Sequence, residues 1–513
     1  MMKKLILFFL VPIGCLGFLR NLNLFDYHQT LRRVHSSTLI TDKAILEEAH
    51  LLNILHTGGE LGSIIVDKET GEHLCRLSIS GRRILTRDRL TYADILKGIE
   101  EGRFIAVSHQ ELVNRALQHR ENCVLVFTGG GDSAGINAVI SYATQGLKSL
   151  RPEMTVLGLR NAGASLLVSP EEFPKHLVLI DELYAKDIPQ QGSTFLGSSR
   201  INPFKKPEDM ERTLENIKGF GAWLSTGGDD NLRVAQTLAE KNPDMVVVAT
   251  AKTIDGDVMV NGQGVQSLGF DSAVRMYRDE IYSIAQSAKT HGERGQPVVM
   301  VVETFGRDSG RLTFESARPD RTDGLSAEEI KRQEDLRGTI LIVVPEQKHA
   351  DGTQATIDEI VARAQHIIAR ENAVVIVVAE GYRPGDMPDI VKSSAKTDPY
   401  GHIQLAGIGA ALVPVLEEKL SGTKVRNALL NYEGRGTLPS PYDVTMGFKI
   451  GWKMAELIAQ GVTGGRFVGY TNEMDARREL PLVLELIGIS NKNDLSLYPR
   501  EVLERNGVLV IQP

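Results

Sequence analysis

The sequence is short of several features that would each fix a class of function. Its three cysteines, Cys15, Cys75 and Cys123, stand far apart in 513 residues. They form neither a disulfide framework nor a Cys-rich metal pattern, which fits a reducing compartment. No basic run dominates. The chain carries 58 Lys and Arg against 65 Asp and Glu, a net charge of −7, which argues against nucleic acid as a general partner. No apolar run is long enough to span a bilayer. The apolar start at residues 3–18, KKLILFFLVPIGCLGF, is interrupted by Pro12. It resembles a secretory signal, or a lipoprotein site at Gly14-Cys15, but no small-x-small cleavage site follows cleanly. The expectation is a start assigned too far upstream, or an amphipathic extension, on a cytoplasmic protein without a membrane partner. No G-x-G-x-x-G follows a strand, and no Lys-Ser/Thr turns a glycine loop into a P-loop. Internal repeats and low-complexity linkers are missing too.

What remains is ordinary globular material, 42% hydrophobic and 24% charged, with length for two or three domains. It is organised around residues 225–257. An apolar run at 222–224 ends in Thr226-Gly227-Gly228-Asp229-Asp230, and a second run at 245–249 ends in Lys252-Thr253-Ile254-Asp255-Gly256-Asp257. Between them Leu232, Ala235 and Leu238 mark one face of a helix. This is a βαβ unit, and a parallel unit puts both loops beyond the carboxyl ends of the strands, where open α/β sheets bind ligands. Four carboxylates and one ammonium should therefore converge. A divalent cation with phosphate groups would hold them together, since hard oxygen ligands suit Mg²⁺ and Lys suits phosphate.

The rest of the chain repeats the theme. Residues 21–118 read as helix and loop without a chemical motif, with an amphipathic helix at 45–55. A strand at 123–127 runs into Thr128-Gly129-Gly130-Gly131-Asp132-Ser133-Ala134-Gly135 and then a helical pattern to Leu147. A glycine cluster between a strand and a helix start lets backbone N–H groups approach phosphate. Gly192 to Arg200 is a second small-residue loop, ending in one arginine suited to phosphate. Strands at 298–302, 340–344, 374–379 and 425–430 each end in a polar loop marked by Gly or Pro. A shared cleft follows from that repetition.

In order, TGGGDSAGIN, GSTFLGSSR, TGGDD, KTIDGD, GFDSAV, ETFGR, PEQ and NYEGRGTLPSPYD resemble the motifs of the phosphofructokinases, and more closely their pyrophosphate-dependent branch. The resemblance covers residues 125–459. It implies an α/β fold of two Rossmann-like three-layer α/β/α domains facing across a cleft, with a mostly helical N-terminal extension. The implied divisions are 1–120 for the extension, 121–265 with 432–480 for the donor lobe, 266–431 for the fructose 6-phosphate lobe, and 481–513 for a C-terminal segment. The implied reaction moves a phosphoryl group to the 1-hydroxyl of fructose 6-phosphate, with Mg²⁺.

Two positions bear on the donor. ATP-using relatives carry Gly where Asp230 and Lys252 stand, and the pyrophosphate branch carries Asp and Lys. Asp230 would repel the α-phosphate of a nucleotide, and Lys252 would attract a diphosphate. By the same resemblance Asp255 is the proton acceptor, with Asp257 placed to orient it or the metal. Asp229 is the Mg²⁺ position. Gly130 and Arg200 would hold diphosphate, and Arg307 would stabilise transition-state charge. Thr253, Phe305, Gly306, Glu346, Tyr432 and Arg435 match sugar-phosphate positions. Arg426 matches a residue that reaches the 6-phosphate from a neighbouring subunit, so a homo-oligomer, at least a dimer, is implied; the other such arginine falls on Val298. An ATP-dependent enzyme, a non-catalytic regulatory subunit and a nucleotide-binding oxidoreductase are the competing readings.

Overall fold

The structure, a computed structural model, describes residues 43–292, 295–390 and 407–511. The apolar start and Cys15 lie outside them. Two compact units are present, one ending at Ser108 and one beginning at His109.

In the first unit, the helices Lys43–Leu55 and Tyr92–Glu100 accompany four short antiparallel strands. These are β1 (Ser63–Asp67), β2 (His73–Leu77), β3 (Ile84–Thr86) and β4 (Phe104–Ser108), in the order β3-β2-β1-β4. Thr91 opens the second helix with a capping box, its Oγ1 accepting from the Asp94 N–H while Asp94 Oδ2 accepts from the Thr91 N–H. Leu51, Leu55, Ile65, Cys75 and Phe104 share one small core. The expected helix at 45–55 is there. The sheet was not legible, because strands of three to five residues are too short to show alternation. Burial pushes the Cys75 thiol up to about 12 and the Cys123 thiol to about 11, so both are inert apolar fillers.

The second unit is built on two sheets. The larger contains β5 (Cys123–Thr128), β6 (Thr155–Leu159), β7 (Leu177–Leu179), β8 (Ala222–Gly227), β9 (Val246–Ala251), β16 (Gly464–Gly469) and β17 (Leu482–Glu485). Their order is β17-β16-β9-β8-β5-β6-β7, parallel at the centre and antiparallel at both edges. A two-stranded ribbon, β10 (Met259–Val260) with β11 (Gln263–Gly264), follows the second acidic loop. The smaller sheet is wholly parallel: β12 (Val298–Thr304), β13 (Ile340–Val343), β14 (Ala373–Ala379) and β15 (Lys424–Leu430), in the order β13-β14-β12-β15.

Burial explains why parallel strands form here. Every residue of β5, β8, β9, β13 and β14 is buried, as expected when helices cover both faces of a sheet. Each fully buried Val or Leu contributes roughly 1.5–3 kcal/mol, so such strands have no alternative environment of similar energy. The edge strand β15 departs from this pattern, with Lys424, Arg426, Asn427 and Leu429 exposed. The helix Pro441–Ala459 then lies against the helix Ile136–Leu150. The two axes approach closely because Gly447 and Gly451 face Ala138 and Val139, where a Cβ would collide. That packing returns the chain from the smaller sheet to the larger one. No helix among the described residues is long and apolar enough to cross a membrane.

Candidate active site

Six strand ends of the two sheets meet at one cavity of about 140 Å³. From the larger sheet, β5 supplies Gly130 and Gly131, β8 supplies Gly228 to Asn231, and β9 supplies Lys252, Thr253, Asp255 and Asp257. From the smaller, Arg307 and Asp308 follow β12, Glu380 follows β14, and Arg435 follows β15. Arg200 and Asn491 complete the wall.

The glycine loop is shaped for close approach. Gly130 has φ 79°, and any side chain at Gly131 would run into the Arg435 guanidinium. Lys252 is 3% exposed, and its Nζ donates to the carbonyls of Gly129 (2.8 Å) and Gly131. Burial, then the nearby Arg435 and Arg200 guanidinium groups, push Lys252 down to about 7. Asp229 and Asp230 occupy the first turn of the helix Asp229–Lys241, where the helix dipole favours carboxylates. The Arg233 guanidinium lies 3.6 Å from Asp229.

The turn after β9 carries the acids. The Asp255 N–H donates to Thr253 Oγ1 at 3.1 Å, while Asp255 Oδ1 is buried without a partner. Asp257 is held well above the usual carboxylate range by burial and by the carboxylates of Asp255, Asp229 and Asp308. Such mutual repulsion is what a divalent cation relieves. Among the described residues no three ligating side chains are placed to hold a metal by themselves. The donor set therefore suits Mg²⁺ shared with phosphate oxygens, since Mg²⁺ commonly takes one or two carboxylates plus substrate.

Of the residues singled out in the sequence, Gly130, Arg200, Asp229, Asp230, Lys252, Thr253, Asp255, Asp257, Arg307 and Arg435 line the cavity. Phe305 and Tyr432 stand beside it: their rings meet edge-on at 5.8 Å, and the Arg435 guanidinium lies 4.7 Å over Phe305. Gly306, φ 138°, places Arg307 against Gly381. Two are elsewhere. Glu346 does not line the cavity; its Oε1 accepts from the N–H groups of Gly310 (2.7 Å) and Leu495 (3.3 Å). Arg426 sits on the exposed edge of β15, level with Met300 of β12. Val298, the other cross-subunit position, is buried at the opposite end of β12 from the cavity. Sequence reasoning passed over Glu380, Asn231, Asp308 and Asn491. Glu380 carried a signal, an acid directly after a buried strand. Burial and Asp255 push it up to about 7. Asn491 carried none.

A family model described as phosphofructokinase matches residues 123–458. The chain belongs to the phosphofructokinase family. A relative from Dictyoglomus thermophilum named pyrophosphate–fructose 6-phosphate 1-phosphotransferase is 30% identical over 371 residues, 72% of this chain and 94% of that one. An ATP-dependent 6-phosphofructokinase 3 from Streptomyces coelicolor is 29% identical over 66% of this chain and 88% of its own. Among solved structures, a pyrophosphate-dependent phosphofructokinase from Marinobacter aquaeolei matches with a TM-score of 0.55 at 19% identity, covering 76% of this chain and 88% of its own, and so shares the phosphofructokinase fold.

Proposed function

We propose that the protein transfers a phosphoryl group from pyrophosphate to the 1-hydroxyl of D-fructose 6-phosphate, giving fructose 1,6-bisphosphate and phosphate. One observation carries the donor: among the described residues, those that line the cavity include no aromatic and no aliphatic side chain. A nucleobase would find no shelf there, whereas nucleotide and cofactor sites are lined mainly by apolar and aromatic groups. Asp230 and Lys252, both in the lining, point the same way. ATP-dependent relatives of similar identity make the alternative concrete. The test is initial rate with fructose 6-phosphate, Mg²⁺ and either donor. Turnover with ATP equal to or faster than with pyrophosphate overturns the reading. A non-catalytic regulatory role is disfavoured by the complete Lys252–Asp257 loop within the cavity.

The geometry supports the roles that the resemblance implies. Asp255 takes the proton of the attacking hydroxyl; its unpartnered Oδ1 is free to accept it. Lys252, Arg200 and the loop at Gly130 hold diphosphate, and Arg307 meets charge as it develops on the transferred group. Asp229, with Asp257 behind it, would hold Mg²⁺ together with the donor. Bound there, the ion would neutralise phosphate charge and fix the donor's orientation. Glu380 joins the sugar-facing side, because it lines the cavity. Thr253, Arg435, Phe305, Gly306 and Tyr432 complete the sugar-phosphate side. Arg426 is offered to a second copy across the β15 edge, which supports a homo-oligomer of at least two chains. A cytoplasmic location fits substrates of this kind.

A further inference from the structure

The turn Asp255–Gly256–Asp257 is held from behind by residues that no phosphoryl-transfer role requires. Gly256 has φ 67°, and a Cβ there would press 2.8 Å from the Phe270 ring. Its carbonyl accepts two hydrogen bonds, from Arg311 Nη1 at 2.7 Å and from Asn493 Nδ2 at 2.9 Å. The Asn493 backbone N–H donates to the Asp257 carbonyl at 2.9 Å. Asn472 bridges the two, accepting from Arg311 Nη2 at 3.2 Å and donating to Asn493 Oδ1 at 2.6 Å. Asn493 is 1% exposed and Arg311 8%. Both donors are thus withdrawn from water and directed at one peptide oxygen between two acids.

Asn472 and Asn493 lie beyond residue 458, where the family match ends. The same C-terminal stretch reaches the cavity wall at Asn491 and is tied down by Ser490, which exchanges both backbone hydrogen bonds with Met259. Glu346 completes the brace, joining Leu495 to Gly310, the residue before Arg311. This gives Glu346 a task other than binding sugar.

We infer that Asn493 and Arg311 are positioning residues for Asp255, and that this C-terminal segment finishes an active site the family domain leaves open. The inference rests on Asp255 being the base. A carboxylate must be held to within about 0.5 Å of its working position. Freeing the Gly256 carbonyl lets the turn rotate and carries Asp255 with it. Neither side chain touches substrate, so ground-state binding should survive.

The experiment uses the full chain with pyrophosphate, fructose 6-phosphate and Mg²⁺. Asn493→Ala and Arg311→Met should each lower kcat by roughly 10–100-fold, the scale of a 1 Å misplacement, with both KM values within about threefold. Arg311→Lys, which keeps one donor, should recover part of the loss. Leu497→Ala, an exposed change in the same segment, should leave kcat alone. Hydrogen exchange of a peptide spanning residues 253–258 should quicken in Asn493→Ala and not in Leu497→Ala. Folded variants with wild-type kcat, or a loss confined to KM, overturn the inference. So does unchanged exchange. Wild-type protein inactive with either donor would instead sink the functional reading, and the exchange arm would still decide the clamp.

Discussion

Two cavities among the described residues are lined by charged side chains, and they differ in the ion pairs made within the lining itself. The larger, about 410 Å³, is lined by Arg275, Arg318, Arg321 and Arg477 among others. Nearly all of this charge is paired. Arg321 bridges Asp271 and Glu315, each at 2.8 Å; Arg318 reaches Glu315 and Asp320; Arg275 and Arg477 hold Asp271 and Asp475. These partners keep Glu315 and Asp271 below the usual carboxylate range and Arg321 above its own. In the smaller cavity the shifts run the other way. Lys252 is pushed down, Glu380 and Asp257 up, and Asp255 keeps an unpartnered oxygen. Asp443 of the larger cavity is also pushed up, to about 7, by burial and the neighbouring Asp271, but it accepts from the N–H groups of Gly269 and Ser272. Charge that a lining does not itself neutralise is where a ligand is expected. Volume alone would have chosen the wrong cavity.

The largest effect that could break this contrast lies in the smaller cavity. Asp255→Ala should reduce kcat by about 10²–10⁴-fold while leaving the dissociation constant of fructose 6-phosphate within a few-fold. Rapid-quench and equilibrium binding together check both halves. Next in size is a change in the larger cavity. Arg321→Met strips Asp271 and Glu315 of their shared partner and leaves each buried carboxylate with one arginine, Arg275 and Arg318 respectively. A loss of up to about 3 kcal/mol is expected, read as a fall in Tm. Measured where the variant is still folded, its kcat and donor preference should match wild type. A selective kcat loss would mean the paired cavity also serves the chemistry.

The contrast also shows what the sequence could reveal. Strand ends were legible because each buried run stops at a Gly- or Asp-rich loop, and that placed Asp229, Lys252, Asp255 and Arg307 in one cleft. Glu346 was drawn in by the same rule. It does follow a buried strand, β13, but its Oε1 is taken by the N–H groups of Gly310 and Leu495, and such pairing is not written in local periodicity. Glu380, directly after the inner strand β14, was passed over although it carries the same signal. The clamp on Gly256 was invisible, because Asn472 and Asn493 lie more than 200 residues downstream and asparagines in loops carry no pattern. Ion pairing across the larger cavity, as between Arg321 and Asp271 at a separation of 50 residues, was equally hidden.

A third test sharpens the role of the two donor-selecting residues. Asp230→Gly alone should admit slow turnover with ATP. Lys252→Gly alone should damage pyrophosphate use and gain little with ATP. The double change should favour ATP beyond the sum of the two, with a coupling of about 0.5–3 kcal/mol, since both flank one phosphate site. The measurement is kcat/KM for both donors in all four forms. Strict additivity with no ATP activity in Asp230→Gly would place the block on nucleotides elsewhere.

The smallest expected effect is a pH dependence that falls in a different window in each of the two cavities. Lys252, pushed down to about 7, is neutral in half the free enzyme near that pH. Unfolded, it would keep an ordinary lysine value and stay charged. Between about 7 and that value the unfolded chain binds the extra proton, so this group makes the free enzyme more stable as pH rises through that window. Pyrophosphate reverses the preference, because an anion beside the ammonium favours its charged form. Binding above pH 7 therefore takes up a proton, and KM for pyrophosphate should climb by up to about tenfold per pH unit, while Lys252→Arg stays nearly flat. Glu315 and Asp271 act at the other end. Their depressed values give stability that is full above the ordinary carboxylate range and is lost as pH falls through it. Raising the pH from 7 to about 8.5 should thus weaken pyrophosphate's protection of Tm while ionising Asp443, pushed up to about 7, in the paired cavity, whereas lowering it toward about 4 should draw on Glu315 and Asp271. A KM for pyrophosphate that is flat from pH 7 to 9 in the wild type would mean Lys252 stays charged in the empty site, and that its burial is already offset by the Gly129 and Gly131 carbonyls it bonds.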